Sequence, residues 1–79
     1  MNIYILEEYC KKNNISKPIF LSNYHEKNNK TYWKSKVIIG ELSSSTQTLF
    51  VDKISAENYV AMIIMDVINN NHSVKKIEF

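Results

Sequence analysis

The stretch VDKISAENYVAMIIMDVI, Val51 to Ile68, decides how the rest of the chain is arranged. It reads as a helix, with Asp52 as a good N-cap and Ser55 as a second candidate. At about 100° per residue, Ala61, Ile64, Met65 and Ile68 form one apolar stripe. Ile63, Val67 and part of Val60 form an adjoining stripe, with Tyr59 and Met62 further round. The apolar arc is about 200°, whereas a helix resting on one face of a sheet needs little more than ~100°. The helix therefore has one face for a core and apolar surface to spare. Its start carries a single lysine, Lys53, followed four residues later by Glu57. The run "NNNH" (Asn69 to His72) is expected to stop it near Asn69, leaving "SVKKIEF" as either a disordered tail or a fourth short strand.

Upstream, "TQTLFV" (Thr46 to Val51) reads as a strand by its β-branched and aromatic content, and "ELSSS" before it as a turn. "YWKSKVIIG" alternates with period two. Trp33, Ser35, Val37 and Ile39 share one face, and Tyr32, Lys34, Lys36 and Ile38 share the other. That is a strand with one buried and one wet face, ended by Gly40, the single glycine. "NYHEKNNK" (Asn23 to Lys30) is expected as a polar loop. Before it, Pro18 pushes Lys17 out of helical geometry and opens the extended piece "PIFLS". From Ile3 to Asn13 the period is helical, with Ile3, Leu6 and Cys10 on one face and a stop at Asn13–Asn14. Glu7 with Lys11, and Glu8 with Lys12, have the favourable i,i+4 order. The expected class is α+β. Its order is α-β-β-β-α, a three-stranded antiparallel sheet with two helices packed on one face. Residues 1–70 form the domain and residues 71–79 a tail.

Bulk properties narrow the function. At 79 residues the chain is one domain at most, with a thin core. Hydrophobic content of 44% and charged content of 23% are those of a globular protein. The net charge is +2, and all ten cations are lysine, which disfavours bidentate base reading and leaves point-charge contacts to phosphate. One cysteine, Cys10, provides neither a disulfide nor a zinc framework, and a reduced intracellular setting, cytoplasm or nucleus, is the expectation. No apolar run reaches the roughly 18 residues of a membrane span, and the start lacks the basic leader of a signal peptide. There is no Ser/His/Asp set, Cys/His pair, phosphate loop or metal cluster. The expectation is a non-enzyme with no cofactor, no metal, no membrane and no small-molecule substrate.

"LEEYCKK" (Leu6 to Lys12) followed by "KPIF", then "WKSKVIIG", then "DKISAENYVA", resemble in order and spacing the double-stranded RNA-binding domain (dsRBD) family, over about Ile3 to Ile68. The resemblance implies shape recognition of A-form RNA across two minor grooves and the major groove between them. Three regions carry over. Glu8, with Lys12 beside it, stands where the family places a glutamate that reaches ribose 2′-hydroxyls; the alternative is a Glu8–Lys12 pair on a solvated face. The loop holding His25, Lys27, Asn28, Asn29 and Lys30 replaces the family's Gly-Pro-x-His. It either reaches a minor groove or is a solvated hairpin loop. The family's K-K-x-A-K, which meets phosphates, is Lys53, Ile54, Ser55, Ala56 and Glu57 here. Two of its lysines are gone and an acid is gained, which weakens the electrostatic contribution to duplex affinity.

Two functions follow. One is a divergent module that binds double-stranded RNA weakly and without sequence specificity, through Glu8, Lys12, His25, Lys27, Asn28, Asn29, Lys30 and Lys53. The other is a dsRBD-like module for protein contact or homodimerisation through Tyr59, Val60, Ile63 and Val67 on the last helix, with RNA binding largely lost. A dimer regains by avidity what each copy has lost, so the two are compatible. Alternatively, the tail or further chain covers the spare apolar stripe. Family members act in RNA processing, in antiviral silencing, or as viral factors that sequester duplex RNA.

Overall fold

The computed structural model describes the backbone of residues 2–77 and the side chains of residues 2–70. Its elements are α1 (Asn2–Lys12), β1 (Ile19–Lys27), β2 (Lys30–Ile39), β3 (Leu42–Ser45) and α2 (Lys53–Ile77). The strands are antiparallel in the order β1-β2-β3, and both helices pack against one face. This is the general topology of the dsRBD-like fold.

α1 stops where the two asparagines were expected to stop it. Asn14 takes φ 55°. The Ile15 amide donates to the Cys10 carbonyl at 2.9 Å and the Asn14 amide to the Lys11 carbonyl at 3.5 Å. That pair of bonds is a Schellman motif, and its apolar contact is Ile15 packed on the core beside Cys10. At the other end, the Asn58 side chain in α2 accepts the Ile3 amide at 3.2 Å, satisfying a free donor at the start of α1. Asn2 Nδ2 donates to the Asn58 carbonyl at 3.3 Å. α1 thus lies alongside α2, and α2 rests on the sheet.

The core is Leu6 and Cys10 from α1, Val37 and Ile39 from β2, and Val60, Ala61, Ile64 and Ile68 from α2. Ile3, Tyr9, Ile15, Phe20, Leu42 and Met65 close round it. The alternation in β2 holds: Ser35, Val37 and Ile39 are buried, while Lys34 and Lys36 are exposed. Burial among apolar groups raises the Cys10 thiol pKa, which makes it a packing residue rather than a nucleophile.

Four expectations are corrected. The Asn23–Lys30 segment is not a loop: β1 runs to Lys27, β2 starts at Lys30, and only Asn28 and Asn29 turn. Both asparagines have positive φ, 54° and 64°, as a tight type I′ turn requires. The "ELSSS" segment is not a turn. Gly40, at φ 57°, lets β2 reverse within two residues, so Leu42–Ser45 forms β3.

Thr46–Val51 is then not a regular strand. The Thr46 hydroxyl takes the Ser35 amide at 3.0 Å, and the chain leaves the ladder. It returns at Phe50, which exchanges both backbone bonds with Trp33 but stands two residues beyond the β2–β3 register. Finally, α2 does not end near Asn69. Its backbone continues to Ile77, because asparagine costs a helix only a few tenths of a kcal/mol and neither glycine nor proline intervenes. Glu78 and Phe79 of the expected tail lie outside the described residues.

Candidate nucleic-acid interface

Beyond Tyr24 and Trp33, where Phe50 makes its bridge, the β1–β2 hairpin becomes a two-stranded arm. Every residue from Asn23 to Thr31 is exposed, and Tyr24 packs on Trp33 with ring centroids 5.7 Å apart. His25, Lys27, Asn28, Asn29 and Lys30 all sit on its outer part, so the structure brings these five together. The tight Asn–Asn turn makes this tip a defined projection rather than a floppy loop.

Lys53 opens α2 three residues after Phe50, which is bridged to Trp33 near the base of the arm. Asp52 caps the helix as expected, its Oδ1 accepting the Ser55 amide at 2.7 Å. Bonds from the Ser55 amide and hydroxyl hold the Asp52 carboxyl below its ordinary pKa. A capped carboxylate shares its charge with the helix start, where a phosphate would otherwise bind.

Glu57 sits differently from the sequence expectation. It was expected as a reversed charge facing phosphate, but it turns toward the sheet. Ser22 Oγ donates to Glu57 Oε2 at 2.8 Å and lies 2.6 Å from Ser35 Oγ. A carboxylate only accepts, so the Ser22 proton is committed to Glu57 and Ser35 must be the donor to Ser22. Ser35 is 3% exposed, and this chain satisfies its hydroxyl. Glu57 is therefore a structural partner of the sheet. Ala56, the alanine of the K-K-x-A-K pattern, is fully buried, as a small residue in close helix–sheet packing should be.

Glu8 and Lys12 lie on α1, along a shallow groove shared with Tyr4, Ile5 and Tyr9. Asn58 joins the start of α1 to the second turn of α2. A β-carbon on Gly40 would lie 3.9 Å from Ser16 Oγ, which puts the far end of α1 by the β2–β3 turn. Both helices thus run away from the arm. By helical rise, Glu8 lies about 15 Å along the axis from Lys53, and by strand rise the tip lies roughly 10–13 Å beyond Trp33. The three regions stand in series, not in a cluster.

The alternation also fixes which way the arm's lysines and its histidine face. Lys27 and His25 on β1, and Lys30, Lys34 and Lys36 on β2, project from the helix-free face of the ribbon. Glu26, the one carboxylate on these strands, is on the other face with Tyr24 and Trp33. Lys34 and Lys36 were recognisable as wet-face residues. Their grouping with Lys27 and Lys30 needed the register Leu21↔Lys36 and Lys27↔Lys30.

On α2, Val60 is corrected: it is fully buried in the core, not part of an outer stripe. Ile63 is half-buried. Tyr59, Met62 and Val67 are exposed, and Tyr59 leans on Phe50 with centroids 5.1 Å apart. Among the described residues no three His, Cys, Asp or Glu side chains form a metal-holding group, and no helix is long and apolar enough to cross a membrane. Comparison of the chain with protein-family models, with curated proteins and with solved structures gives no match.

Proposed function

We propose that this chain is a divergent dsRBD-like, non-catalytic module that binds double-stranded RNA by its backbone, weakly and without sequence specificity. The observation that carries the reading is the projecting arm. A tightly turned tip with His25, Lys27, Asn28, Asn29 and Lys30 lies beyond Lys53 along the molecule, and Glu8 with Lys12 follows at the other side of it. Donors strung out over some 25 Å suit a rod with repeating grooves better than a compact ligand. The inward turn of Glu57 favours the reading too, because it turns the acid gained in the K-K-x-A-K pattern away from phosphate. The absence of arginine agrees with backbone rather than base contacts.

The test is a titration with a ~20 bp RNA duplex at two salt concentrations, beside the DNA duplex of equal length. Expected are salt-dependent binding, preference for RNA, and loss on Lys53→Glu or on Lys27→Glu with Lys30→Glu. No binding at low salt refutes it.

A second reading is supported by the exposed apolar side chains of Val51, Ile54, Tyr59, Met62 and Val67 around α2. In that reading α2 pairs with a second copy or another protein. Sedimentation decides: a dimer that Val67→Asp dissociates supports it, and a monomer at all concentrations removes self-pairing.

A further inference from the structure

We infer that the helix-free face of the sheet is a second nucleic-acid surface, and that its ligand is an unpaired strand. A groove crosses all three strands on this face, lined by Leu21, Asn23, Lys34, Lys36, Ser45 and Thr46. β2 supplies a column of Lys30, Tyr32, Lys34 and Lys36, one side chain about every 6.8 Å. Lys27 extends the positive stripe on β1, opposite Lys30, and the His25 ring lies opposite Tyr32. No carboxylate on β1 or β2 shares this face, because Glu26 alternates to the other. Neither helix covers the face, so every ammonium here is open to solvent and to phosphate.

The chemistry favours a single strand over a duplex. In a duplex the faces of the bases are stacked away, so Tyr32 and the apolar side chains of Leu21 and Ile38 would have nothing to meet. An unpaired base offers its flat face to an aromatic ring whatever its sequence, and its phosphates track a lysine column. Asn23 and Ser45 at the groove edges supply donors and acceptors for sugar hydroxyls and base edges. This surface shares His25, Lys27 and Lys30 with the duplex reading, but it is tested through Tyr32, Lys34 and Lys36, which that reading leaves idle.

The experiment is fluorescence anisotropy of the 79-residue protein with a labelled 12-residue oligouridylate at 50 and 200 mM salt. Three phosphates neutralised by Lys30, Lys34 and Lys36 imply a log–log slope of about −2, so affinity should fall about 20-fold over that range. Lys34→Glu with Lys36→Glu should weaken binding at least 10-fold and flatten the slope to about −0.7. Lys34→Gln with Lys36→Gln, a milder change on the same exposed positions, should weaken it less and flatten the slope likewise. Tyr32→Ala should cost about 10-fold with the slope unchanged.

Lys17→Glu, away from this face and equal in charge change to the double glutamine variant, serves as the control. Should the double variants bind the oligonucleotide as Lys17→Glu does, the proposal is overturned. Polyglutamate of equal charge competing as well as unlabelled oligouridylate also overturns it, since the surface would then be one for acidic polypeptides. The 20 bp duplex measured on the same proteins separates the two readings. Absence of duplex binding with oligouridylate retained refutes the earlier proposal alone, and the reverse result refutes this one alone.

Discussion

Glu57→Lys restores the third cation of the K-K-x-A-K pattern, and sequence and structure expect opposite results from it. On the sequence alone, a lysine at 57 adds a phosphate contact and strengthens duplex binding. In the structure, Glu57 Oε2 accepts from Ser22, which accepts from Ser35. An ammonium cannot accept, so the proton of half-buried Ser22 loses its acceptor, while Ser35 can still donate to Ser22 Oγ. Losing a hydrogen bond to a charged group costs roughly 1.5–3 kcal/mol, and stranding a buried donor costs a similar amount. Because Glu57 is half-buried, a loss of about 1.5–2 kcal/mol is the expectation.

For a domain of this size 1 kcal/mol moves Tm by roughly 4–8 °C, so Tm should fall by about 10 °C. Glu57→Gln keeps an acceptor and should lose about half as much. Thermal unfolding followed by circular dichroism gives the stability, and RNA titration of the same samples gives the affinity. A Glu57→Lys protein with Tm within about 2 °C of the parent and tighter duplex binding would refute the inward placement of Glu57.

Three further outcomes are expected. Val60→Asp should abolish folding, since it buries an unpaired carboxylate among Leu6, Ile64 and Val37, whereas Val67→Asp, on exposed surface, should change stability by no more than about 0.5 kcal/mol; urea unfolding compares them. Asn29→Gly should stabilise the hairpin by roughly 0.5–1 kcal/mol, because φ 64° suits glycine better than asparagine, and a Tm no higher than the parent's would count against the turn as described. Asp52 has a folded pKa below its ordinary 3.8, so its contribution is fully present above that pH and is lost as pH falls through the lower folded value. Asp52→Asn caps without titrating, so the parent's advantage in Tm, steady above pH 5, should shrink below pH 3.

The features legible in the sequence were those set by local chemistry. The 3.6-residue period placed both helices, and the alternation of β2 named its buried face correctly. Asp52, followed by a helical run, named its own cap. The Asn13–Asn14 stop was readable because asparagine tolerates the left-handed conformation that ends a helix. These preferences act within a few residues, so no partner is needed to express them.

What the tertiary structure decided depends on pairing across distance. Asn23 to Lys30 looked like a loop because it is polar, yet polar residues form a strand when a tight Asn–Asn turn sets them against each other. β3 shifted from Thr46–Val51 to Leu42–Ser45 because Gly40 lets β2 reverse at once, and Ile39 opposite Leu42 then fixes the register. Val60 moved from the partner stripe to the core, and Glu57 from phosphate to Ser22, because the angle at which α2 meets the sheet is set by side chains on the other elements. The same register collects Lys27, Lys30, Lys34 and Lys36 on one face. Local preference determined which elements form; only the packing of those elements decided which way their charges point.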